Sequence, residues 1–334
     1  MRHQDGQSAT PANAGTPITR RGSLLLGASA LAGSTLLSRT APAAEPVAEF
    51  SADPFRYCLN TSTIREQQLG IVAEVELAAR AGYTGIEPWI REIQQYVDEG
   101  GSLRDLKQRI ADAGLTVESA IGFPAWCVDD EAQRADGIET FKRDAQLVAD
   151  IGGTRIAAPP VGAHGGDAPR LDLFAVAERY AALLDIGRDI GVTPMAEIWG
   201  PSKNLSRLGE AVFVAVESNH PDACLLPDIY HIYRGGSGFE GLKLLAGDAI
   251  PVFHVNDYPG SPERTALNDR DRVFVGDGAA PTDLIFRSLA ENGCRAALSL
   301  ELFNPTYWKR DAEEVVVEGL RKTKHAVAKA LGLA

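Results

Sequence analysis

The stretch AALSLELFNP, residues 296–305, decides the fold that the sequence predicts. Small and apolar side chains lead to a single carboxylate, Glu301, and the run stops at an Asn-Pro pair. A short apolar run bounded by proline is typical of a buried parallel strand whose last residue emerges at the carboxyl end of the sheet. We therefore expect Glu301 to stand at the exit of a strand.

Three earlier stretches have the same form: VTPMAEIWG delivers Glu197, ACLLPDIYH delivers Asp228, and IPVFHVND delivers His254. The steps along the chain are 31, 26 and 47 residues, close to the roughly 31 residues per βα unit of a (β/α)8 barrel. The fold class predicted is α/β, a single-domain TIM barrel in which these four side chains converge.

Three carboxylates and one imidazole suit one divalent metal ion, with Mn²⁺ favoured and Mg²⁺, Co²⁺ or Zn²⁺ as alternatives. Taken singly, each residue has an ordinary explanation, because Asp and Glu at strand ends often cap helices and a lone histidine can belong to the core. The recurrence at four strand exits is what predicts a metal site.

The first part of the chain predicts a cleavable export signal at residues 1–43. The twin arginines Arg20 and Arg21 precede an uncharged run rich in leucine and alanine, and Ala41-Pro42-Ala43 offers a small-residue cleavage site. The run is too short for a membrane span. We expect a periplasmic protein exported by the twin-arginine route, with the barrel at residues 55–331.

The charge and residue composition of the mature chain limit the kinds of partner it can bind. The signal contains four arginines and one aspartate, so the mature chain carries 29 basic and 44 acidic side chains, a net charge of −15. This charge repels phosphate backbones, so we expect no nucleic acid partner. No later apolar run reaches membrane-spanning length, so no stable membrane insertion is expected after cleavage, and the formation of a homo-oligomer is left open. The cysteines lack CxxC spacing and are predicted to be free thiols; they are Cys58, Cys127, Cys224 and Cys294.

Helix, glycine and strand alternate through the mature chain. The phrase recurs as ARAGYTGIE, ADAGLTVES, ADIGGTRIA, RDIGVTPMA and AENGCRAAL, and glycine after a helix permits the left-handed turn back to the sheet. Among the predicted elements are strands over 56–60 and 116–122 and helices over 66–81 and 131–151. All four tryptophans follow predicted strands, where they either pack against a sugar or only cover the barrel mouth; they are Trp89, Trp126, Trp199 and Trp308.

The chain resembles the sugar phosphate isomerase/epimerase superfamily of xylose-isomerase-like barrels, and within it the inosose (2-keto-myo-inositol) isomerases. The motifs that carry the resemblance are YCLNTSTI, AGYTGIEPW, LPDIYHIY, FHVNDYPG, RDRVFVGDGA and LSLELFNPTYWKRDAEE. The resemblance implies that Glu197, Asp228, His254 and Glu301 are the metal ligands and that Glu197 and Glu301 are also the catalytic acid/base pair.

The same resemblance implies that His231 contacts substrate and that Arg272 holds substrate oxygens. A departure from the family is Lys203, where related epimerases tend to have a glutamate. Other side chains at strand exits are expected to line the substrate site; they are Asn60, Glu87, Lys203 and Trp126.

The function expected is isomerisation or epimerisation of a keto-sugar or inosose through a metal-stabilised enediolate. A lyase is the alternative, either eliminating from 3-keto-glycosides or dehydrating inosose, with Lys203 or His164 protonating the leaving oxygen. A sugar-binding protein would not need two glutamates at a metal. An apurinic endonuclease would need more histidine ligands than the five that remain after cleavage.

Overall fold

A computed structural model describes residues 50–334 of the chain. Eight strands alternate with helices, so the TIM barrel prediction is confirmed for this part of the chain. The strands are β1 (Arg56–Asn60), β2 (Gly85–Glu87), β3 (Thr116–Val117), β4 (Arg155–Ala158), β5 (Thr193–Glu197), β6 (Leu225–Leu226), β7 (Val252–Val255) and β8 (Ala297–Leu300). The helices are α1 (Ile71–Ala81), α2 (Ile90–Asp98), α3 (Leu103–Asp112), α4 (Glu131–Asp150), α5 (Leu173–Ile190), α6 (Leu208–Glu217), α7 (Ile229–Gly235), α8 (Thr282–Glu291) and α9 (Ala312–Leu331).

All strand pairs are parallel, and they form two sheets in the orders β3-β2-β1-β8-β7 and β4-β5-β6. Single backbone hydrogen bonds join the two sheets. The amide of Ala157 donates to the oxygen of Ala120 (2.9 Å), and the amide of His254 donates to the oxygen of Pro227 (2.9 Å). These contacts close the barrel, so all eight strand exits face one opening.

Side chains alternate between two apolar layers. One layer packs inside the barrel and includes Cys58, Ala157, Met195, Leu226 and Val252. The other packs between the strands and the surrounding helices. The inner layer combines small and large side chains, which together fill the limited interior of an eight-stranded barrel. All four cysteines are buried and free, as predicted.

Two predicted elements differ from the observed ones. The helix expected over 66–81 is a 3-10 helix at Thr61–Gln67 followed by α1, because Gln68 (φ 52°) and Gly70 (φ 78°) take left-handed conformations that interrupt it. The strand expected over 116–122 pairs in β3 only. The glycine turns are as predicted at Gly82 and Gly191, both left-handed.

The export signal at residues 1–43 lies outside the described residues, and the barrel boundaries at 55–331 stay a prediction. Within residues 50–334, no helix combines the length and apolar character needed to cross a membrane.

The loop after β7 is fixed by one carboxylate. Asp257 accepts backbone hydrogen bonds from Gly276 (3.0 Å), Gly278 (3.1 Å) and Ala280 (2.9 Å). The backbones of Asp257 and Val273 also bond each other in both directions. This loop carries Arg272, so its conformation sets where the Arg272 guanidinium lies.

Helix α7 packs closely against the loop before α6, and a substitution in α7 can test this contact. A Cβ added to Gly235 would overlap the backbone oxygen of Ser206, in the loop before α6. Since neither backbone can move freely, Gly235→Ala should lower the free energy of unfolding by about 1–3 kcal/mol. Denaturant unfolding measures this. Gly209→Ala in α6 is the control, because the added Cβ meets open space there and stability should stay level or rise by up to about 1 kcal/mol. Equal stability of the two variants would contradict the packing described.

Candidate active site

Three of the four predicted metal ligands converge at the carboxyl ends of the last three strands. Asp228 follows β6, His254 lies within β7, and Glu301 follows β8. One ligand atom from each lies within 4.8 Å of the others, and all three side chains are buried. The site is built by neighbouring strands, which explains why residues so far apart in sequence meet.

Asp228 performs two tasks. Its Oδ1 accepts a hydrogen bond from the His231 amide (2.7 Å), so it is the N-cap of α7. Its Oδ2 accepts from Asn256 Nδ2 (2.9 Å) and from Arg272 Nη1 (3.0 Å) and points into the site. Asp228 is therefore both a helix cap and a member of the buried cluster. Asn256 was not predicted, although its position two residues after His254 in extended chain places both side chains on one face.

The ring of His254 is oriented by Glu87. A carboxylate only accepts, so His254 Nε2–H donates to Glu87 Oε2 (3.0 Å). The other nitrogen, Nδ1, lies 3.3 Å from Glu301 Oε2 and 3.9 Å from Asp228 Oδ2 but makes no hydrogen bond. Burial alone would lower the His254 pKa, but Glu301 and Glu87 raise it well above its usual value. The nitrogen thus faces two carboxylates that require a cation.

Glu87 lies beneath the cavity and not on its wall. It is completely buried, and its Oε2 also accepts from Asn60 Nδ2 (2.9 Å) and Ser299 Oγ (2.7 Å). Asn60 Nδ2 reaches Glu301 Oε1 as well (3.2 Å). Asn60 and Glu87, expected to line the substrate site, instead support His254 and Glu301 from below.

Arg272 supplies a buried positive charge to the cluster. Its Nη1 donates to Asp228 Oδ2 (3.0 Å) and Glu301 Oε2 (2.7 Å), and its Nη2 donates to Asp269 Oδ1 (2.6 Å). Burial would raise the pKa of Glu301, but His254 and then Arg272 more than offset this, so its pKa is held below the usual range. Glu301 is therefore ionised at neutral pH.

Glu197 has the opposite electrostatic environment. It is the last residue of β5, and its Oε2 is buried without a hydrogen-bond partner. Burial raises the pKa of Glu197 to about 8; Glu301 adds to this, and His254 opposes it. Glu197 lines the same cavity as Glu301 but is not part of the three-residue cluster. It is the carboxyl group of the site that holds a proton near neutral pH.

His231 lies on the cavity wall, and its contact with substrate stays a prediction. The Gly200 amide donates to His231 Nδ1 (3.1 Å), and Arg272 Nη2 lies 3.0 Å from His231 Nε2. Both ring nitrogens face donors, so the neutral ring can accept only one of these two hydrogen bonds. Burial lowers the pKa of His231, Arg272 adds to this, and Asp228 opposes it. His231 is neutral near pH 7.

These donors fit a divalent cation. The imidazole Nδ1 of His254 and the Oε2 of Glu197 are buried and have no partner, and His254 gives its other N–H to a carboxylate, as metal-binding histidines usually do. The ligand types suit Mn²⁺ or Zn²⁺ among others. Asp228, His254 and Glu301 would hold the ion, with Glu197 as the predicted fourth ligand.

A cavity of about 570 Å³ opens above the cluster, and five Trp and Phe side chains stand in its walls. The lining includes Trp89, Phe123, Trp199, Phe303 and Trp308, together with Arg65, His164, His231, Asp269, Arg270 and Arg272. His164 stands edge-on to Trp199, with ring centroids 5.4 Å apart.

Trp126 and Lys203 do not line this cavity. Trp126 is fully buried, and its Nε1 donates to the backbone oxygens of Ala158 and Pro159. Phe123, in the same loop, reaches the cavity instead. Lys203 contributes its backbone amide to the oxygen of His164 (2.9 Å).

Several lining residues were missed by the sequence analysis. Phe303 lies in the stretch that decides the fold, two residues past Glu301, where the alternation of an extended chain could have indicated it. Arg65 and Asp269 lie in 3-10 helices between elements, and no sequence pattern marks their direction.

Comparisons with known proteins agree with the barrel fold. Residues 75–326 match the family described as xylose isomerase-like TIM barrel. The inosose isomerase of Bacillus velezensis is 26% identical over 276 residues, covering 82% of this chain and 98% of that protein. The 3-dehydroshikimate dehydratase of Pseudomonas aeruginosa is 24% identical over 253 residues, covering 74% of this chain and 38% of that protein. The solved structure of IOLI protein with a binding zinc atom has a TM-score of 0.76 at 25% identity, covering 83% of this chain and 99% of that one.

The carboxylate beneath His254 can be tested through metal affinity. Glu87→Gln removes the charge that orients and strengthens the imidazole, so affinity for Zn²⁺ or Mn²⁺ should fall about 10- to 100-fold. His254→Ala should lose most of the metal. Competition titration with a chelating indicator measures both variants.

Glu118→Gln is the matched control. Glu118 is also buried but pairs with Arg56 (2.8 Å) and not with His254. Metal affinity equal to wild type in Glu87→Gln, or equally weakened in both glutamine variants, would remove Glu87 from this role.

Proposed function

Because the chain belongs to the xylose isomerase-like TIM barrel family, we propose that it is a metal-dependent isomerase or epimerase of a keto-sugar or keto-cyclitol such as an inosose. One observation carries the proposal: Glu197 and Glu301 line one cavity, and their surroundings shift their pKa values in opposite directions. The pKa of Glu197 is raised to about 8, and that of Glu301 is lowered. Two carboxyl groups whose surroundings separate their pKa values are the expected pair of acid and base.

Epimerisation moves one proton at carbon, and isomerisation also transfers the hydroxyl proton to the former carbonyl oxygen; afterwards both glutamates regain their starting protonation by exchange with solvent. Ionised Glu301 takes the proton from the carbon beside the carbonyl, and protonated Glu197 returns a proton to the neighbouring carbon or to the other face. A divalent ion at Asp228, His254 and Glu301 would stabilise the enediolate by drawing negative charge from its oxygens. Neutral His231 and charged Arg272 lie at the same wall and can bind hydroxyl or carbonyl oxygens.

Aromatic walls support this chemistry in two ways. Tryptophan faces pack against the C–H surfaces of a sugar or cyclitol ring. Apolar walls also exclude water, so the charges on Glu301 and Arg272 act more strongly on the substrate than they would in solution.

A lyase is the second candidate. The same enediolate can expel a substituent β to the carbonyl if an acid protonates it. His164 lines the cavity and is available for that role, whereas Lys203 offers only its backbone amide to His164. A relative named as a dehydratase matches most of this barrel, which favours keeping elimination as an alternative.

Export to the periplasm is part of the proposal. It is supported by the twin arginines Arg20 and Arg21 and the apolar run that follows them. Such an enzyme would meet its substrate outside the cytoplasm, which is compatible with keto-glycosides as well as inososes.

The acid/base pair can be tested by isosteric substitution. Glu301→Gln and Glu197→Gln keep the shape of each side chain but cannot exchange a proton, so turnover of an inosose should drop roughly 10²- to 10⁴-fold. Because both residues are also predicted ligands, rates are compared at equal metal content measured by elemental analysis. Near-normal turnover by either fully loaded variant would contradict the two-glutamate mechanism, and Glu118→Gln should be unaffected.

Isomerase and lyase give different products in D₂O. The wild-type chain is incubated with an inosose and, separately, with a 3-keto-glucoside, and NMR follows both. We expect deuterium at the carbon α to the carbonyl and a rearranged keto-cyclitol, because proton return from Glu197 completes the reaction. Release of the aglycone with no change in the inosose would instead establish the lyase.

A further inference from the structure

Arg65 lies on the cavity wall, in the 3-10 helix that follows β1. It lies near the end of the 3-10 helix Thr61–Gln67, before the left-handed Gln68. Its guanidinium carbon is 5.4 Å from the ring centre of Trp89, 5.0 Å from that of Phe303 and 4.8 Å from that of Trp308. Three rings therefore hold the guanidinium in position at the cavity.

The charge of Arg65 is poorly compensated by the protein. Its Nε is buried and has no hydrogen-bond partner among residues 50–334. The recorded ion pair is with Glu66 at 3.9 Å, and that carboxylate is about half exposed. Burial and the neighbouring Arg91 lower the pKa of Arg65. A rigid guanidinium with an unused donor at a cavity wall is prepared for an acceptor on a ligand.

Arg272 provides the contrast. The two guanidinium groups both pack on Phe303, at 5.0 Å for Arg65 and 4.9 Å for Arg272. The charge of Arg272 is met by Asp228, Glu301 and Asp269. Arg65 instead has a long ion pair with Glu66 (3.9 Å), and other carboxylates act on it only at longer range, so the two arginines next to the same ring have different tasks.

We propose that Arg65 binds a carboxylate of the substrate, at the end of the molecule away from the metal cluster. This rests on the proposed function, in which the keto end of the substrate lies at Glu301 and Asp228. The planar fork of arginine matches a carboxylate with two parallel hydrogen bonds. A neutral hydroxyl in that position would leave the guanidinium charge uncompensated between apolar rings.

The substrate class follows from this geometry. It is a keto-sugar or keto-cyclitol that carries a carboxylate, so the preferred substrate is an acid and not a neutral inosose. Neutral keto-cyclitols retain the contacts at the keto end and lack only the distal contact to Arg65.

The test compares an acid with its neutral ester. Binding of 3-dehydroshikimate and of its methyl ester to the metal-loaded chain is measured by calorimetry. Wild type should bind the acid more tightly than the ester. Arg65→Met keeps an apolar chain against the rings but removes the charge and the donors, so affinity for the acid should fall about 10- to 100-fold while affinity for the ester changes little.

Arg91→Met is the matched control. Arg91 packs on Trp89 at 4.3 Å and lines a second cavity, between α1 and α2, which Arg65 also borders. Because Arg91 does not line the cavity above the cluster, neither ligand should be affected. Arg65→Met should melt like Arg91→Met, which separates recognition from folding.

Equal affinity of wild type for acid and ester, binding of neither, or equal loss of both in Arg65→Met would overturn the proposal. Calorimetry detects binding without turnover, so this result is independent of the proposed reaction. A third outcome separates the two proposals. If Arg65→Met loses affinity for the acid alone and the wild-type chain incorporates no deuterium in D₂O, the carboxylate site is supported and the isomerase is rejected.

Discussion

The burial of carboxylates at one end of the barrel is the constraint on which the site depends. Glu87, Asp228 and Glu301 are all removed from water, and an isolated buried carboxylate is costly unless it is paired and hydrogen-bonded. His254 and Arg272 meet these carboxylates through direct hydrogen bonds. The strand ends, the loop after β7 and helix α7 together bring His254 and Arg272 to these carboxylates.

Glu301 and Glu197 differ in how well nearby positive groups offset the burial of their charges. Glu301 accepts a hydrogen bond from Arg272 and lies beside His254, and its pKa is lowered. Glu197 has a buried oxygen with no partner, and its pKa is raised to about 8. The same residue type therefore has its pKa lowered at one strand end and raised at another. The two pKa values differ because the two side chains lie at different distances from the charged groups around them, and not because the residues differ in type.

The aromatic wall links the chemical centre to the rest of the cavity. Phe303 packs against both Arg65 and Arg272, so one ring contacts a guanidinium with close carboxylate partners and one with a single long ion pair. Aromatic packing fixes the side chains without using their N–H donors. A site built in this way can hold polar substrate groups at defined points while its walls remain apolar.

The sequence by itself determined the barrel, because apolar runs and glycine turns are local patterns that report strand exits and helix ends. It also indicated Asp228, His254 and Glu301, since strands of a closed barrel deliver their last residues to one face. Only the tertiary structure decided that Glu87 supports His254 across 167 residues, that Trp126 packs in the protein interior, and that the break at Gln68 directs Arg65 to the cavity. Protonation was also decided there, because pKa values depend on distances between side chains that meet only when the barrel closes.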